Sequence, residues 1–433
     1  MTEGAALDAS ARGAAVIAAL ATRPGGAELL ELGHDHPDLA LVGGAVRDLL
    51  RGASPRELDV VVAGGSAELA AELAARLPGN EARTPEVTVH ERFGTASVGW
   101  MHGRIDVAER RAESYPRPGA QPVVRPGSAA EDLARRDFTI NAIAVALGGP
   151  RVGELEAVAH ALEDLAAGRL RILHAGSFLD DPIRLLRLAR YRARLRFELE
   201  PETARLARSA LADGALGTIS GARIGAELWL ATEEFPPGAS FASLGELGVL
   251  ESLALPSPFD EQLLRDAYAL KPPDAVADIV EMAVLFHPAA APTEAERQRA
   301  GELMRDLEFF AETRERVLAA AFDAPALVAG IERAERPSQL RALLAGRPVE
   351  AVVLAAALAG RSSREAQARG ESWLTELREV RLEIGGADLL AAGLPEGPEI
   401  GRRLERALDL KLDGELDGAG REAELNAALA AAV

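Results

Sequence analysis

Two carboxylates stand two positions apart in the segment SPRELDVVV, residues 54–62. Alternate side chains of a β-strand point to the same face, so Glu57 and Asp59 would project together from a strand here. Carboxylate oxygens suit Mg²⁺, which takes one or two protein carboxylates together with substrate phosphates. The same spacing is also typical of the solvated face of an edge strand. The Gly43-Gly44 pair before it favours ligand binding, because backbone N–H groups at a helix start bind phosphate.

A third carboxylate, Asp106, occurs in the segment GRIDVAE, which also has the pattern of a strand. If that strand lies beside the first one, Asp106 completes a cluster of three acidic groups. An exposed residue on an ordinary strand is the alternative interpretation of Asp106.

The segment DLARRDFTINAIA contains two pairs of polar residues at helical spacing. Asp132 and Arg136 are four residues apart and can form an ion pair, and Asp137 and Asn141 repeat the spacing on a neighbouring face. A surface helix with salt bridges explains this segment without any ligand.

The segment SFLDDPIRLLRLARYRARLRF places Asp181 before a proline that favours the first turn of a helix. Asp181 is an N-cap on the simplest interpretation. Arg184, one turn later, could instead stand beside it, so that the pair presents an acceptor and a donor fork. Three further arginines continue a basic stripe down the same side, and a solvated stripe is the alternative: Arg187, Arg190 and Arg194.

The elements that position these residues follow from the alternation of apolar and turn-forming segments. LALVGG and ELDVVV are predicted as strands, and each is followed by a helix, AVRDLLRG and SAELAAELAARL. EVTVHERFGTASVGW and GRIDVAE add further strands, which indicates a mixed α/β unit. Ser128 and Glu131 have capping-box spacing, so a helix is predicted over AAEDLARRDFTINAIAVAL. From residue 150 onward the sequence predicts helices only.

Composition excludes several kinds of site. The chain has 433 residues, a formal net charge of −19 and no cysteine, so disulfides, thiolate metal sites and a cysteine nucleophile are excluded. Arginines crowd between residues 104 and 196, which allows a basic cleft in an acidic protein. Without a P-loop lysine motif or a long apolar run, we expect neither a P-loop NTPase nor a membrane protein. We expect a cytoplasmic location.

Six segments follow one another along the chain: LVGGAVRDLLRG, RELDVVV, RFGTASV, IDVAERRAESY, EDLARRDFTINAIA and DDPIRLLRLARYRARLRF. In order and spacing they resemble the class II tRNA nucleotidyltransferases and bacterial poly(A) polymerases. Two later segments, TISGARIGAEL and LEIGGADLLAAGLPEGPEIGRRLERAL, are similar to the neck motif and the late segment of that family. The resemblance is dense between residues 40 and 230, sparse between 240 and 375, and present again near 382–407.

The resemblance implies an α+β fold with a nucleotidyltransferase head. The head, with a mixed sheet, would cover residues 1–149, followed by an all-helical neck (150–235), body (236–345) and tail (346–433). It implies template-independent transfer of C and/or A residues from CTP or ATP to the 3′ end of tRNA, with Mg²⁺ as cofactor. A poly(A) polymerase acting on other RNAs is the alternative. The head motifs leave open which of these products is made.

The resemblance also implies roles for the acidic residues. Metal ions held by Glu57 and Asp59 would activate the RNA 3′-hydroxyl for attack on the α-phosphorus and stabilise the pyrophosphate leaving group. Asp106 would complete the catalytic group. The family carries Asp-x-Asp where this chain has Glu57, and the extra methylene places that carboxylate farther from the backbone. A strand set back to compensate, a slower enzyme and a binding-only homologue are the three interpretations, and we favour an active enzyme.

The nucleotide-binding residues are carried over in three groups. One group lies against the triphosphate in the family, and the second is associated with the ribose and nucleotide pocket. In the third, Asp accepts from the amino group that C and A share while Arg donates to the adjacent ring acceptor, and a further arginine supports either this pair or the triphosphate. The groups are Gly43, Gly44 and Arg47; Arg136, Asp137 and Asn141; and Asp181 and Arg184, with Arg187 as the further arginine.

Overall fold

The computed structural model of the chain describes residues 3–79, 84–91, 94–256, 258–289, 291–416, 418 and 420–430. The chain forms two compact units, residues 1–219 and 220–433. Two residues of the RFGTASV motif, Arg92 and Phe93, lie outside the described residues. The division into head, neck, body and tail stays a prediction.

The first unit is built around a mixed β-sheet. Its described strands are β1 (Ala40–Val42), β2 (Leu58–Val62), β3 (Glu86–His90), β4 (Thr95–Trp100), β5 (Gly103–Glu109), β6 (Arg111–Ser114), β7 (Val123–Pro126), β8 (Ile143–Ala146), β9 (Leu155–Ala157), β10 (Arg169–Leu170) and β11 (Glu198–Leu199). Seven of these strands form one sheet in the order β3-β4-β5-β2-β1-β8-β9. The β2 and β5 strands are parallel and the other neighbouring pairs are antiparallel. The predicted mixed sheet is confirmed.

Helices of the first unit follow the strands closely. They are α1 (Glu3–Ala21), α2 (Gly26–Asp35), α3 (Gly44–Leu50), α4 (Ser66–Arg76), α5 (Ala129–Ala134), α6 (Ala161–Ala167), α7 (Ser177–Asp180), α8 (Ile183–Leu195) and α9 (Pro201–Ala212). The predicted order of strand, helix, strand and helix is confirmed by β1, α3, β2 and α4. Because α3 begins two residues after β1, the Gly43-Gly44 pair lies directly at one end of the sheet.

The predicted helix over residues 129–147 is wrong beyond its first turns. The capping box of Ser128 and Glu131 is present, but α5 ends at Ala134. A 3-10 turn at Thr139–Asn141 and strand β8 follow instead. All four residues of β8 are buried beside β1. A short apolar run buried on both faces has no periodicity that distinguishes a strand from a helix.

The prediction of helices only after residue 150 is also wrong, at three short strands. The strand β9 pairs with β8 and extends the seven-stranded sheet past residue 149. The strands β10 and β11 have two residues each and pair with one another in parallel. Strands this short carry too few residues to produce an alternating pattern in the sequence.

The core of the first unit lies on the sheet. Its central strands carry apolar side chains that are almost fully buried, among them Leu41, Val60, Val107 and Val145. Burial on both faces explains why these strands are apolar runs with few polar interruptions. The carboxylates at the ends of these runs are therefore the exceptions in the sheet.

The second unit is helical throughout its described residues. Its helices are α10 (Gly221–Thr232), α11 (Ala239–Glu246), α12 (Val249–Ser252), α13 (Glu261–Leu270), α14 (Ala277–Phe286), α15 (Glu294–Asp306), α16 (Ala311–Leu318), α17 (Ala324–Arg333), α18 (Pro337–Leu344), α19 (Val349–Gly360), α20 (Arg364–Thr375), α21 (Gly386–Ala391), α22 (Pro398–Leu412) and α23 (Gly420–Ala430). The α19 helix is buried along most of its length, as a helix that is apolar all round must be. None of the described helices has the length and hydrophobicity needed to cross a bilayer.

Candidate active site

Three carboxylates lie together at the N-terminal end of β2. Asp59 on β2 is paired with Asp106 on the parallel strand β5, and Glu57 comes just before β2. One carboxylate oxygen from each of these three residues lies within 4.8 Å of the other two. Since side chains two apart on a strand share a face, Glu57 and Asp59 reach the same point as Asp106. The structure thus brings together the three acidic residues singled out in the sequence.

The carboxylate cluster is electrostatically strained. Burial, together with the charges of Asp106 and Glu57, raises the pKa of Asp59 to about 6 against the opposing charge of Arg136. A divalent cation would remove this repulsion, because opposite charge favours the ionised carboxylate. Hard cations also prefer oxygen ligands. The three carboxylates therefore fit a divalent metal ion.

Asp106 is held in place by two donors that the sequence reading missed. The Ser97 hydroxyl donates to Asp106 Oδ1 over 2.6 Å, and Arg104 Nε donates to the same oxygen over 2.8 Å. Ser97 faces Asp106 across the β4–β5 pair, and Arg104 precedes it by two positions on the same face. The Arg104-x-Asp106 spacing is a sequence signal that could have identified Arg104, whereas Ser97 requires the strand register.

A polar cavity of about 390 Å³ opens beside Asp59. It contains nine of the predicted site residues: Gly43, Gly44, Asp59, Arg136, Asp137, Asn141, Asp181, Arg184 and Arg187. Five further residues line it that the sequence reading did not select: Arg111, Glu113, Tyr115, Arg135 and Tyr191. Three of them occupy alternate positions of one segment: Arg111, Glu113 and Tyr115. This period of two is a sequence signal that could have identified them.

The Gly43-Gly44 turn lies against an arginine of the cavity. Gly43 has φ +69°, a conformation that favours glycine. A Cβ at position 43 would lie 2.8 Å from Arg136 Nη1. Arg136 also donates to Asp132 Oδ2 over 3.0 Å, which confirms the predicted pair. The absence of a side chain at Gly43 therefore lets the Arg136 guanidinium sit beside the start of α3.

Arg47 does not line the cavity itself but contacts Asn141, which does. It is 1% exposed, and its guanidinium donates to Asn141 Oδ1 over 2.6 Å and to the carboxylate of Asp48. The contact of Arg47 with a triphosphate stays a prediction. Arg47 fixes the orientation of the Asn141 amide, because an arginine donor must face the amide oxygen.

Asp137 is a buried anchor for two other predicted residues. Its Oδ1 accepts from Asn141 Nδ2 over 3.0 Å, and its Oδ2 accepts from Arg187 Nε over 2.9 Å. Burial raises the pKa of Asp137, but the Arg187 charge and the hydrogen bonds outweigh it and lower the pKa to about 2. The Asp137 carboxylate is thus ionised and holds Asn141 and Arg187 at the cavity.

Asp181 and Arg184 both line the cavity where α7 ends and α8 begins. The Arg184 N–H donates to the Asp181 carbonyl over 3.1 Å. Arg184 is 4% exposed, and its guanidinium donates to the Ser177 hydroxyl and, over 2.6 Å, to the Arg135 carbonyl. Both residues are therefore held by the chain itself in the positions that line the cavity.

The arginines that follow on α8 do not form a solvated stripe. Arg190 is 7% exposed, and Arg194 donates to Asp48 over 3.3 Å. The guanidinium carbons of Arg187 and Arg190 lie 5.5 and 5.3 Å from the centre of the Tyr191 ring, within the range of cation–π contacts. The solvated-stripe interpretation is wrong, because α8 packs this side against other elements of its own unit, such as Asp48 on α3.

Comparison with known proteins agrees with this geometry. The sequence model of the Poly A polymerase head domain matches residues 39–171. An A-adding tRNA nucleotidyltransferase of Halalkalibacterium halodurans is 42% identical over 220 residues, which are 50% of either protein, so the chain spans half the length of that relative. A solved structure of a Thermotoga maritima CCA-adding enzyme complexed with tRNA CCA has a TM-score of 0.72 and 28% identity, and the match covers 93% of this chain and 94% of that one.

A CC-adding tRNA nucleotidyltransferase of Deinococcus radiodurans gives the most extensive sequence match of those described here. It is 34% identical over 378 residues, which cover 85% of this chain and 83% of that protein. The match therefore includes both compact units and not the head alone. With its cluster of acidic residues, its polar cavity and this extended similarity, the chain belongs to the family of tRNA nucleotidyltransferases.

Proposed function

We propose that the protein transfers C and/or A residues from CTP or ATP to the 3′ end of tRNA. The observation that carries the proposal is the position of the carboxylate cluster, Glu57, Asp59 and Asp106, at the edge of the cavity that holds Asp181 and Arg184. A metal-binding group beside a base-binding group is what nucleotidyl transfer requires. The names of the A-adding and CC-adding relatives support tRNA and these two nucleotides.

We assign Mg²⁺ to the carboxylate cluster, with Glu57 and Asp59 as its ligands and Asp106 beside them. When bound, such an ion lowers the pKa of a coordinated hydroxyl and neutralises developing charge on phosphate oxygens. Asp106 is oriented by Ser97 and Arg104, so its carboxylate is already positioned before the ion arrives. The crowding that raises the pKa of Asp59 to about 6 supports a cation at this point.

The residues of the cavity bind and orient the nucleotide in this proposal. Arg136 lies beside the Gly43-Gly44 turn, where its charge suits a triphosphate. Asp181 and Arg184 would read the base edge. Four residues keep these groups in place through the contacts described above: Arg47, Asp137, Asn141 and Arg187.

The Glu57 side chain is compatible with an active enzyme. Its carboxylate reaches the same cluster as the two aspartates, although it begins before the start of β2. The longer side chain thus supports the interpretation in which the backbone position compensates for the extra methylene. A slower enzyme and a binding-only homologue are the outcomes that the following assay separates from it.

The test is nucleotide addition to three tRNA primers. The protein is incubated with Mg²⁺ and labelled CTP or ATP on tRNAs that lack the whole CCA end, end after the first C, or end after the second C. Products are measured at single-nucleotide resolution. The primers that are extended identify the CCA-, CC- or A-adding activity. Incorporation into none of them contradicts the proposal and favours the binding-only homologue.

A poly(A) polymerase is the second candidate, because the matching head family carries that description. An unrelated RNA without a tRNA fold is included in the same assay. Long A tails on this RNA would favour the polymerase over the tRNA-specific enzyme. The cytoplasmic location and the four-segment division of the chain stay predictions.

A further inference from the structure

Three cavity residues that the resemblance does not assign lie on one face of a single segment. Arg111 and Glu113 are two positions apart on β6, and Tyr115 continues the alternation just after the strand. All three line the cavity that also contains Asp181 and Arg184. Their position raises the question of what they contribute to the choice of nucleotide.

Glu113 is the centre of this group. Its Oε1 accepts from Arg111 Nε over 2.9 Å and from Arg135 Nη1 over 3.1 Å. Its Oε2 accepts from the Tyr115 hydroxyl over 3.0 Å. The Glu113 side chain is 6% exposed, so these bonds are sheltered from water. An ionised carboxylate has no proton to give, and the phenol must therefore be the donor.

The proton of the Tyr115 hydroxyl is committed to Glu113. Burial raises the pKa of Tyr115, and the negative charge of Glu113 raises it further, so the phenol stays protonated. Among the described residues, the bond to Glu113 is the one hydrogen bond that the Tyr115 hydroxyl makes. Tyr115 lines the same cavity as Arg184 and Asp181, whose charges also act on this phenol. Towards the cavity, the Tyr115 oxygen can therefore only accept a hydrogen bond.

We propose that Glu113 makes Tyr115 an acceptor-only group that selects nucleotides with an exocyclic amino group. This inference rests on the proposed function. Cytosine carries an amino donor at C4 and adenine carries one at C6, whereas uracil and guanine carry carbonyl acceptors at those positions. An acceptor lone pair on Tyr115 is satisfied by the first two bases. With the other two, the Tyr115 oxygen faces another acceptor. Tyr115 is thus a specificity-determining residue, and Glu113 is the residue that positions its proton.

The substitution Glu113→Gln should reverse the polarity of Tyr115. The guanidinium groups of Arg111 and Arg135 only donate, so the amide oxygen of glutamine must face them. The amide N–H₂ then faces Tyr115 and donates to the phenol oxygen. The Tyr115 O–H bond can then rotate towards the cavity, where it can donate to the carbonyl of uracil or guanine. A change of one atom in Glu113 would therefore alter the hydrogen-bond pattern that the nucleotide encounters.

The experiment measures kcat/KM for CTP, ATP, UTP and GTP on the tRNA primers. For Glu113→Gln, the use of UTP relative to CTP and of GTP relative to ATP should rise about tenfold, the effect of one hydrogen bond gained and one lost. For Tyr115→Phe, which keeps the ring, CTP and ATP use should fall about tenfold with little change for UTP and GTP. Equal losses for all four nucleotides in both variants would show a merely structural role and overturn the inference.

The matched control is the Tyr268–Glu281 hydrogen bond of 2.6 Å, which repeats the same contact in the second unit. Glu281→Gln should leave both nucleotide ratios unchanged. If Glu113→Gln does not fold, Tyr115→Phe decides alone. If the wild-type protein adds no nucleotide to tRNA, the proposed function fails. In that case calorimetric titration of the wild-type protein and the variants with CTP and UTP still measures the ratio of the two dissociation constants. An equal change in both dissociation constants would overturn the inference.

Discussion

Asp59 and Asp106 face one another across the parallel strands β2 and β5. This pairing sets the carboxylate cluster, because each side chain leaves its strand on the same face and at the same level. Glu57 joins them from the residue just before β2. Strand register, which the sequence does not contain, is therefore what makes a metal site from three separate acidic residues.

The substitution Glu57→Asp should keep or raise the rate of nucleotide addition. It restores the shorter carboxylate that the family carries at this position, and Asp59 with Asp106 already provides oxygens within the cluster. The rate is measured as kcat across a Mg²⁺ titration. Asp59→Ala is the contrasting variant, and its rate should fall by at least about a hundredfold. Retained activity in Asp59→Ala would mean that the metal site is wrongly placed.

Asp59→Asn should stabilise the metal-free protein above pH 6. The pKa of Asp59 rises from 3.8 to about 6 on folding, which is a cost of about 3 kcal/mol when the group is ionised. Below pH 3.8 both the folded and the unfolded chain are protonated at this residue, so the cost is absent. It grows between these pH values and is constant above them. The stability gained by Asp59→Asn should therefore be absent below pH 3.8, grow between pH 3.8 and about 6, and be constant above that.

Urea unfolding at pH 3.5, 5 and 7.5 in the presence of a chelator measures the effect of Asp59→Asn. Saturating Mg²⁺ at pH 7.5 should reverse the order, because an ion bound only to the folded wild-type protein stabilises it. Asp35→Asn is the control, since Asp35 is an exposed carboxylate on α2. A stability difference that does not vary with pH would contradict the assignment of the cost to ionised Asp59.

Arg187→Gln should destabilise the first unit by about 3 kcal/mol, because it leaves a buried carboxylate without its cation. Arg187 donates to Asp137 over 2.8 Å, and this contact helps to lower the pKa of Asp137 to about 2. A lowered pKa adds stability above pH 3.8 that disappears as the pH falls towards 2, so the deficit of the variant should shrink in acid.

The control for Arg187→Gln is Arg205→Gln. Arg205 pairs with Glu202 at the surface, and breaking this exposed pair should cost much less than breaking the buried one. Both variants are compared by urea unfolding at pH 7 and pH 3. An equal loss in the two variants would mean that the Asp137 pair contributes no more than an exposed one.

Gly43→Ala should reduce both stability and activity. Gly43 and Gly52 have nearly the same φ, +69° and +70°, at which a side chain is strained, and the ψ of Gly43, −133°, lies outside the left-handed helical region. A Cβ at Gly43 also meets Arg136, whereas a Cβ at Gly52 meets nothing within 4 Å. Gly52→Ala is therefore the control for a side chain at positive φ that contacts no other group. Only Gly43→Ala should raise the KM for the nucleotide, and equal KM values would exclude a role for the Arg136 contact.

The fold was predictable where its elements have a clear period. The strands around β2 and β5 and the helices α3 and α4 follow from alternation, turn glycines and apolar runs. The sequence predicts a helix at Ile143–Ala146, where the structure has a strand, because an apolar run buried on both faces has the same pattern in either element. The short strands β9, β10 and β11 have too few residues to give a pattern.

The site was predictable as a set of residues but not as a set of contacts. Nine of the twelve candidate residues line one cavity, and two more, Glu57 and Asp106, join Asp59 in the carboxylate cluster. Arg47 was the exception, since the sequence does not show that its guanidinium is used by Asp48 and Asn141. Glu113 and Tyr115 are not predicted as site residues from the sequence, although their spacing of two positions is typical of one face of a strand.

The sequence by itself determined the chemistry available to this protein. Acidic, arginine and glycine residues in ordered motifs identify a nucleotidyltransferase, because the sequence contains both the residue types and their spacing. Only the tertiary structure decided which groups meet: Asp59 with Asp106 and Glu113 with Tyr115 and Arg135. Strand register and burial decide those contacts, and both depend on segments that are far apart in the sequence.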